Sequence, residues 1–278
     1  MRLKLRKESG QIVLITLLVL SIATTIVLSL IARTTTDVSI TSQIEESSRA
    51  FSAAEAGIEA ALKTGTGTGG AQVLTPGTTY NVTVVQIGGA AGVYQFPRKT
   101  LRGSVETLWL VDHTSDTAIN ETPTYTSPAL DVCWGAETTP PALVTTLLYK
   151  SGGVYRIAKG AYDPDGGRRG TNNFATPTAT SGGCGVATMY QRRINFTTDF
   201  GINPAVDTLI MLRLKPLYSD TQLAVDSGGT VLPLQGNRIE SVGTVGGGIT
   251  RKVVVYQQFR SPGSIFDAGI YSQGSFGH

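Results

Sequence analysis

Histidine, cysteine and charge are all scarce in this chain of 278 residues, and one long stretch lacks the helix breakers altogether. The only histidines are His113 and His278. Neither has a Ser or Cys beside it in a nucleophile motif, and no Cys/His cluster has the spacing of a metal site. An enzymatic activity therefore has no residues to carry it, and neither an enzyme nor a resident cofactor is expected. The one weak exception is Asp163-Pro-Asp165-Gly-Gly, with Asn172 and Asn173 close behind. Alternating oxygen donors on a tight turn are how a calcium loop starts, but the glutamate that would close it is missing, and an ordinary turn accounts for the pattern. Charged residues are only 15% of the chain, and the net charge of +3 sits at one end. Arg2, Lys4, Arg6 and Lys7 stand against Glu8, so without residues 1–10 the chain is formally neutral. Nucleic acid is not an expected partner, because the remaining pairs Arg168-Arg169, Arg192-Arg193 and Arg251-Lys252 lie in separate segments.

Neither proline nor glycine occurs from position 11 to 56. The first part of that stretch, the 22 residues Gln11 to Ala32, also has no charge and is rich in Leu, Ile and Val. It is long enough to cross a hydrocarbon core of ~30 Å as a helix rising ~1.5 Å per residue. The basic flank predicts a cytoplasmic N-terminus, with everything after Arg33 facing outward. The helical pattern continues beyond the membrane edge. Ile40, Ile44, Phe51, Ala54, Ile58 and Leu62 recur every three or four residues and draw one apolar stripe. Lys63-Thr64-Gly65, a cation followed by glycine, reads as the stop. A helix from Gln11 to Leu62 is about 78 Å long at ~1.5 Å per residue. A competing reading is a secretory signal cut after Ser21-Ile22-Ala23, or a plain single-pass anchor. Against it, the apolar run passes Ala23 and the amphipathic stripe follows without a linker.

The basic leader, the Ser9-Gly10 junction, the apolar run and the segment Glu45-Glu46-Ser47-Ser48-Arg49-Ala50-Phe51-Ser52-Ala53-Ala54-Glu55-Ala56-Gly57-Ile58-Glu59 together resemble type IV pilin-like proteins, closest to the PilX-type minor pilins. The resemblance covers residues 1 to 63. It implies that a prepilin peptidase cuts after Gly10 and leaves Gln11 as the new N-terminus. It also implies that the helix first anchors the chain in the cytoplasmic membrane. Later the helix packs with other pilin subunits, or with copies of itself, in an extracellular filament. Ile15, Leu18, Ile22, Ile26 and Leu30 share one face and, with Ile44, Phe51 and Ile58, are the expected packing residues. Two positions depart from the family pattern. Gln11 replaces the usual Phe or Met, and Ile15 replaces the glutamate that pairs with a neighbour's amine. The helix-bending proline is also absent, with Thr24-Thr25 in its place. All three point to a minor or divergent subunit.

The rest reads as β-structure, so the expected fold is α+β: a long N-terminal helix and a β-rich head. The expected divisions are a leader (1–10), the helix (11–63), a linker with the first strands (64–128), a β-sandwich (129–218) and a terminal hairpin with a tail (219–278). Thr64 to Gly70, Thr-Gly repeats, reads as a flexible linker. Period-two alternation at Tyr80, Val82 and Val84 predicts a strand, and so does the run from Gly103 to Val111. These two strands and the hairpin turning at Gly246-Gly247-Gly248 are expected to form a sheet on the outer half of the helix. Five or more short strands between 129 and 218 predict the sandwich. The tail from Ser261, with Phe266, Ile270, Tyr271 and Phe276, reads as an extension laid on the head. Cys133 and Cys184 both fall in the exported part. They suggest one disulfide closing a loop of about 50 residues, worth ~4 kcal/mol by chain entropy, with two separate buried thiols as the alternative. Trp109 and Trp134 are expected in the core. Two functions remain open: a structural filament subunit, or a low-copy tip adhesin whose sandwich binds a ligand.

Overall fold

The structure is a computed structural model that describes residues 9–115 and 118–263. Residues 1–8 of the leader and the tail with Phe266, Ile270, Tyr271 and Phe276 lie outside the described residues. The chain is α+β, a long N-terminal helix followed by antiparallel sheets. Helix α1 (Ser9–Thr64) is followed by β1 (Gln72–Thr75), β2 (Thr78–Gly88), β3 (Val93–Gln95) and β4 (Glu106–Trp109). A small hairpin, β5 (His113–Ser115) and β6 (Ala118–Ile119), precedes β7 (Ala129–Gly135), β8 (Ala142–Ser151) and β9 (Val154–Tyr162). Helix α2 (Gly166–Asn172), the tight turn Gly183–Gly185, β10 (Met189–Asn195) and helix α3 (Phe196–Phe200) come next. Strands β11 (Thr208–Leu217), β12 (Leu223–Asp226), β13 (Leu234–Val245) and β14 (Thr250–Gln258) complete the order.

Two compact units divide these elements. The first comprises residues up to Val84 together with Ile239–Val255, and so pairs α1 with the sheet β1-β2-β13-β14. Helix α1 ends where its chemistry says it should. Gly65 takes φ +72°, and its N–H bonds to the Ala61 carbonyl at 2.7 Å, the glycine cap that satisfies an orphan carbonyl. The sheet packs on the last third of the helix through Ile58 and Ala61, which meet Val82 and Ile239. The expected sheet on the outer helix is therefore present, with its terminal hairpin.

One expected member is absent from that sheet. The 103–111 segment supplies β4, which pairs with β11 in the other unit. Its alternation could be read locally, but its partner lies a hundred residues away, and only the pairing decides the sheet. The Thr-Gly linker also differs from expectation. Thr68 donates its N–H to the Val82 carbonyl at 3.0 Å and accepts the Val82 N–H on its hydroxyl at 2.9 Å, so the segment is pinned to β2. Gly67 is there because a Cβ would stand 2.6 Å from the Val82 carbonyl oxygen.

The second unit, Val85–Arg238 with the described residues from Tyr256 to Gly263, holds two four-stranded sheets. Their orders are β10-β7-β12-β3 and β4-β11-β8-β9. Leu130, Val132 and Trp134 from β7 share one core with Leu143 and Leu147 from β8 and Leu209, Leu212 and Leu214 from β11. This is a β-sandwich. It uses β3, β4 and β12 as well, so it extends at both ends beyond 129–218. A register shift between Leu209 and Met211 places Ile210 and Met211 on the opposite face. There they pack with Trp109 and Phe259. Both tryptophans are buried, and the Trp134 indole N–H donates to the Pro141 carbonyl at 2.8 Å.

Candidate assembly surface on the N-terminal helix

Helix α1 has two halves with different partners. From Gln11 to Glu45 every residue is exposed, including Val13, Leu17 and Leu20 on the side away from Ile15 and Leu18. Ile15, Leu18, Ile22, Ile26 and Leu30 are each more than half exposed. A helix that is apolar all round needs lipid or a surrounding bundle, not a single groove. By length and composition this helix can cross a membrane, as a single span or a signal anchor. Most of the hydroxyls in its apolar run are already satisfied. Thr16, Ser21, Thr24 and Thr25 each donate to a carbonyl three or four residues back, at 2.8 to 3.1 Å. In a hydrocarbon setting such bonds remove most of the cost of a buried O–H.

Beyond residue 45 the helix belongs to the head. Ala50, Ala53, Ala54, Gly57, Ile58 and Ala61 are buried. Their spacing repeats on one face, and most are small, because the sheet comes within backbone distance. A Cβ on Gly243 of β13 would stand 2.0 Å from the Ala50 carbonyl oxygen and 2.7 Å from the Ala54 nitrogen. A Cβ on Gly57 would stand 2.3 Å from the Ser241 Oγ. Polar ties flank this seam: Arg251 Nε donates to Ser47 Oγ at 2.7 Å, and Arg49 donates to Thr78 Oγ1 at 3.4 Å. The Ala-Ala-Glu-Ala-Gly segment is therefore a closely packed joint between the helix and the sheet β1-β2-β13-β14.

That joint corrects one packing residue. Ile58 is 6% exposed and packs on Val82 and Ile239, so it faces the chain's own sheet and is not on the open surface. Ile44 and Phe51, 65% and 46% exposed, remain on the open surface. The apolar stripe read from the sequence thus mixed two faces. The head-facing one is marked by small residues at 50, 54, 57 and 61, a signal that a search for large apolar side chains passes over. At the other end, the helix begins at Ser9, which places the Gly10–Gln11 bond in its first turn.

The remaining candidates sit in the sandwich. Cys133 on β7 and Cys184 in the Gly183–Gly185 turn form a disulfide with a Cα–Cα distance of 6.0 Å, which excludes the two-thiol alternative. Asp163 and Asp165 are engaged by protein donors. Arg168 reaches Asp163 Oδ1 at 2.7 Å and Oδ2 at 3.0 Å, while Asn172 Nδ2 and the Asp165 N–H also donate to it. Burial pushes the Asp163 carboxyl up, but these hydrogen bonds outweigh it and hold the group below its usual value. Asp165 caps α2 by accepting the Gly167 and Arg168 N–H groups. The Asp-x-Asp-Gly pattern is a helix start with an ion pair behind it. Among the described residues no group of three or more His, Cys, Asp or Glu side chains is placed to hold a metal ion.

His113 lies between Trp109 and Phe259, with ring centroids 4.4 and 3.9 Å away, as part of an aromatic stack. The basic pairs are spent locally. Arg168 binds Asp163, Arg192 binds Asp199, Arg193 faces Asp131, and Lys252 binds Glu240. No protein-family model matches the chain, and no curated protein or solved structure matches it either.

Proposed function

We propose that this chain is a type IV pilin-like subunit of the PilX-like minor kind. In this reading a prepilin peptidase removes the leader after Gly10. The helix then anchors the chain in the cytoplasmic membrane, and afterwards packs through residues 11–44, with Phe51, against other pilin subunits in an extracellular filament. The observation that carries the reading is the divided helix. Its first half is open and, from Gln11 to Ala32, apolar on every side, while its second half is fixed to its own sheet by a seam of small residues. A simple membrane anchor needs only the first half. A filament subunit needs both, because the sheet packed on the helix must stay with it when neighbouring helices fix its position. Gln11 and Ile15, which depart from the usual major-subunit pattern, favour the minor role.

A low-copy tip adhesin is the second reading, favoured by a sandwich with its own core and its own disulfide. Labelling along filaments separates the two: signal along the length supports a repeating subunit, signal at the ends only supports the tip.

The decisive experiment is the intact mass of the protein from membranes, with and without a co-expressed prepilin peptidase. Loss of residues 1–10 only with the peptidase is the expected result. Cleavage after Ala23 in both preparations would make this a secreted β-protein. No cleavage in either would leave a single-pass anchored head.

A further inference from the structure

Strand β9 ends its sheet, and most of its outer edge is open. It pairs with β8 without a register shift from Leu143–Tyr162 to Ser151–Val154. On the other side, the only neighbour among the described residues is an isolated parallel bridge, Tyr162 to Ala175. There the Ala175 N–H donates to the Ala161 carbonyl at 2.8 Å, and the Asp163 N–H donates to the Ala175 carbonyl at 2.9 Å. Backbone groups alternate in direction along a strand, so this bridge sets the phase for the whole edge. Residues 161 and 163 direct their groups outward. By the same alternation, Tyr155, Ile157 and Lys159 present theirs outward too.

The side chains along this edge are unusual for an unpartnered strand. Val154, Tyr155 and Ile157 are 56, 54 and 60% exposed. Natural edges are normally short, bulged or covered. This one is regular, apolar and also basic, with exposed Arg156 and Lys159 and no acidic residue anywhere from Val154 to Tyr162. The phase sorts these residues by face. Ala158 and Tyr162 pack against the sandwich core, so Tyr155, Ile157 and Lys159 share the outer face, and Val154 and Arg156 the inner. Each face thus offers apolar surface next to one cation. Lys159 further borders a hollow of about 180 Å³ with Arg213 and Lys215, and at the other end of the strand Glu121, which accepts from the Tyr155 hydroxyl, is paired with Lys150.

We propose that the β9 edge, Val154 to Gly160, is a docking site for an extended acidic segment of a partner protein, added as a further strand of the β4-β11-β8-β9 sheet. Main-chain pairing to Tyr155, Ile157 and Lys159 supplies the affinity, and apolar contacts with Tyr155 and Ile157 add to it. Arg156 and Lys159 supply the selection. In an antiparallel pairing of two β9 strands centred on Ile157 the two Arg156 side chains would be diagonal neighbours on one face, and centred on Ala158 the two Lys159 side chains would be, so this edge disfavours a second copy. The same charges favour glutamate or aspartate on an incoming strand. The site lies wholly within the sandwich and does not depend on the pilin reading.

The test is fluorescence polarisation with the full chain in neutral detergent and a short labelled peptide of alternating valine and glutamate. The control peptide alternates valine and lysine. The acidic peptide is expected to bind at least about tenfold more tightly, with affinity falling as salt rises. Ile157→Pro removes one outward N–H and leaves the ladder to β8 intact, because that N–H does not face β8. It should weaken binding by about tenfold or more at unchanged disulfide content and thermal midpoint. If Ile157→Pro disturbs the fold, Arg156→Glu with Lys159→Glu provides the same test through charge and should reverse the peptide preference. Equal binding of both peptides, binding of neither, or an unchanged preference in the charge-reversed variant would overturn the proposal. Concentration-dependent dimerisation abolished by Ile157→Pro would overturn it in favour of a second copy.

Discussion

Replacing Gly243 with alanine tests whether the helix and head form one joint. The added methyl has nowhere to go, because its position lies 2.0 Å from the Ala50 carbonyl oxygen and 2.7 Å from the Ala54 nitrogen. Both are backbone atoms of a regular helix, which cannot yield without lifting the helix off the sheet. Overpacking against backbone belongs at the top of the usual range, about 3 kcal/mol or more. Alanine returns about 0.4–1 kcal/mol by restricting the unfolded chain. The net loss is then about 2–3 kcal/mol, confined to the helix–sheet contact.

Gly57→Ala is the matched control. Its methyl meets the Ser241 Oγ and the side chains of Tyr80 and Val82, which can shift. It also gains about 0.8–1 kcal/mol of helix propensity, so its net effect should stay within about 1 kcal/mol. Tryptophan fluorescence will not register either change, since Trp109 and Trp134 both lie in the sandwich unit. Amide hydrogen exchange will. Peptides spanning Ala50–Ala61 should exchange roughly 30- to 150-fold faster in Gly243→Ala, with sandwich peptides unchanged. Wild-type protection in Gly243→Ala, or a larger effect of Gly57→Ala, would refute the joint.

Two further outcomes follow from the sandwich. Replacing Cys133 and Cys184 together with serine should cost about 4 kcal/mol, the chain entropy of a loop closed across 51 positions. Denaturation followed by Trp134 fluorescence measures it, and a loss below about 1 kcal/mol would mean the link restrains little. Arg168→Ala leaves the fully buried Asp163 without its cation and should cost about 2–4 kcal/mol at neutral pH, reduced because Arg168 is itself 22% exposed. The pH dependence carries the sign. In the intact protein Asp163 is held below its usual 3.8, so its contribution is present above that value and lost as pH falls through the lower one. Without Arg168 the carboxyl loses its strongest hydrogen-bonding partner and moves up from its wild-type position, so the variant's deficit should shrink as pH falls from the variant's pKa through the wild type's lower one. A deficit independent of pH would mean the loss comes from Arg168 packing on Tyr218 alone.

What was legible in the sequence is what depends on neighbours along the chain. The uncharged run, the missing breakers and the Lys63-Thr64-Gly65 stop gave the helix to within two residues at either end. Alternation at Tyr80–Val84 gave a strand, and the three glycines at 246–248 gave a hairpin. What was not legible depends on distance. The strand around Trp109 could not be assigned to its sheet, because β11 lies far along the chain. The head-facing side of the helix was hidden for a different reason. Close approach to a sheet selects small residues such as Ala50, Ala54 and Gly57, and these barely register as hydrophobic. Asp163 and Asp165 read as an ordinary turn with calcium as a weak alternative, because the sequence does not show that Arg168 and Asn172 fold back onto Asp163.

Chain topology also sets a clock on biogenesis. The helix surface at Ala50–Ala61 is made early, but one of the strands that covers it, β13, is among the last. At about 5–20 residues per second, the interval from Thr64 to Val245 takes roughly 10–40 s. For that time the small-residue seam has only β1 and β2 available, while the sandwich strands are synthesised and can pair among themselves. A nascent chain therefore has an exposed helix face during its most vulnerable period, and its alanines and glycine carry little of the bulky apolar surface that drives aggregation. The residues that permit close packing in the finished protein also keep the unfinished one from sticking.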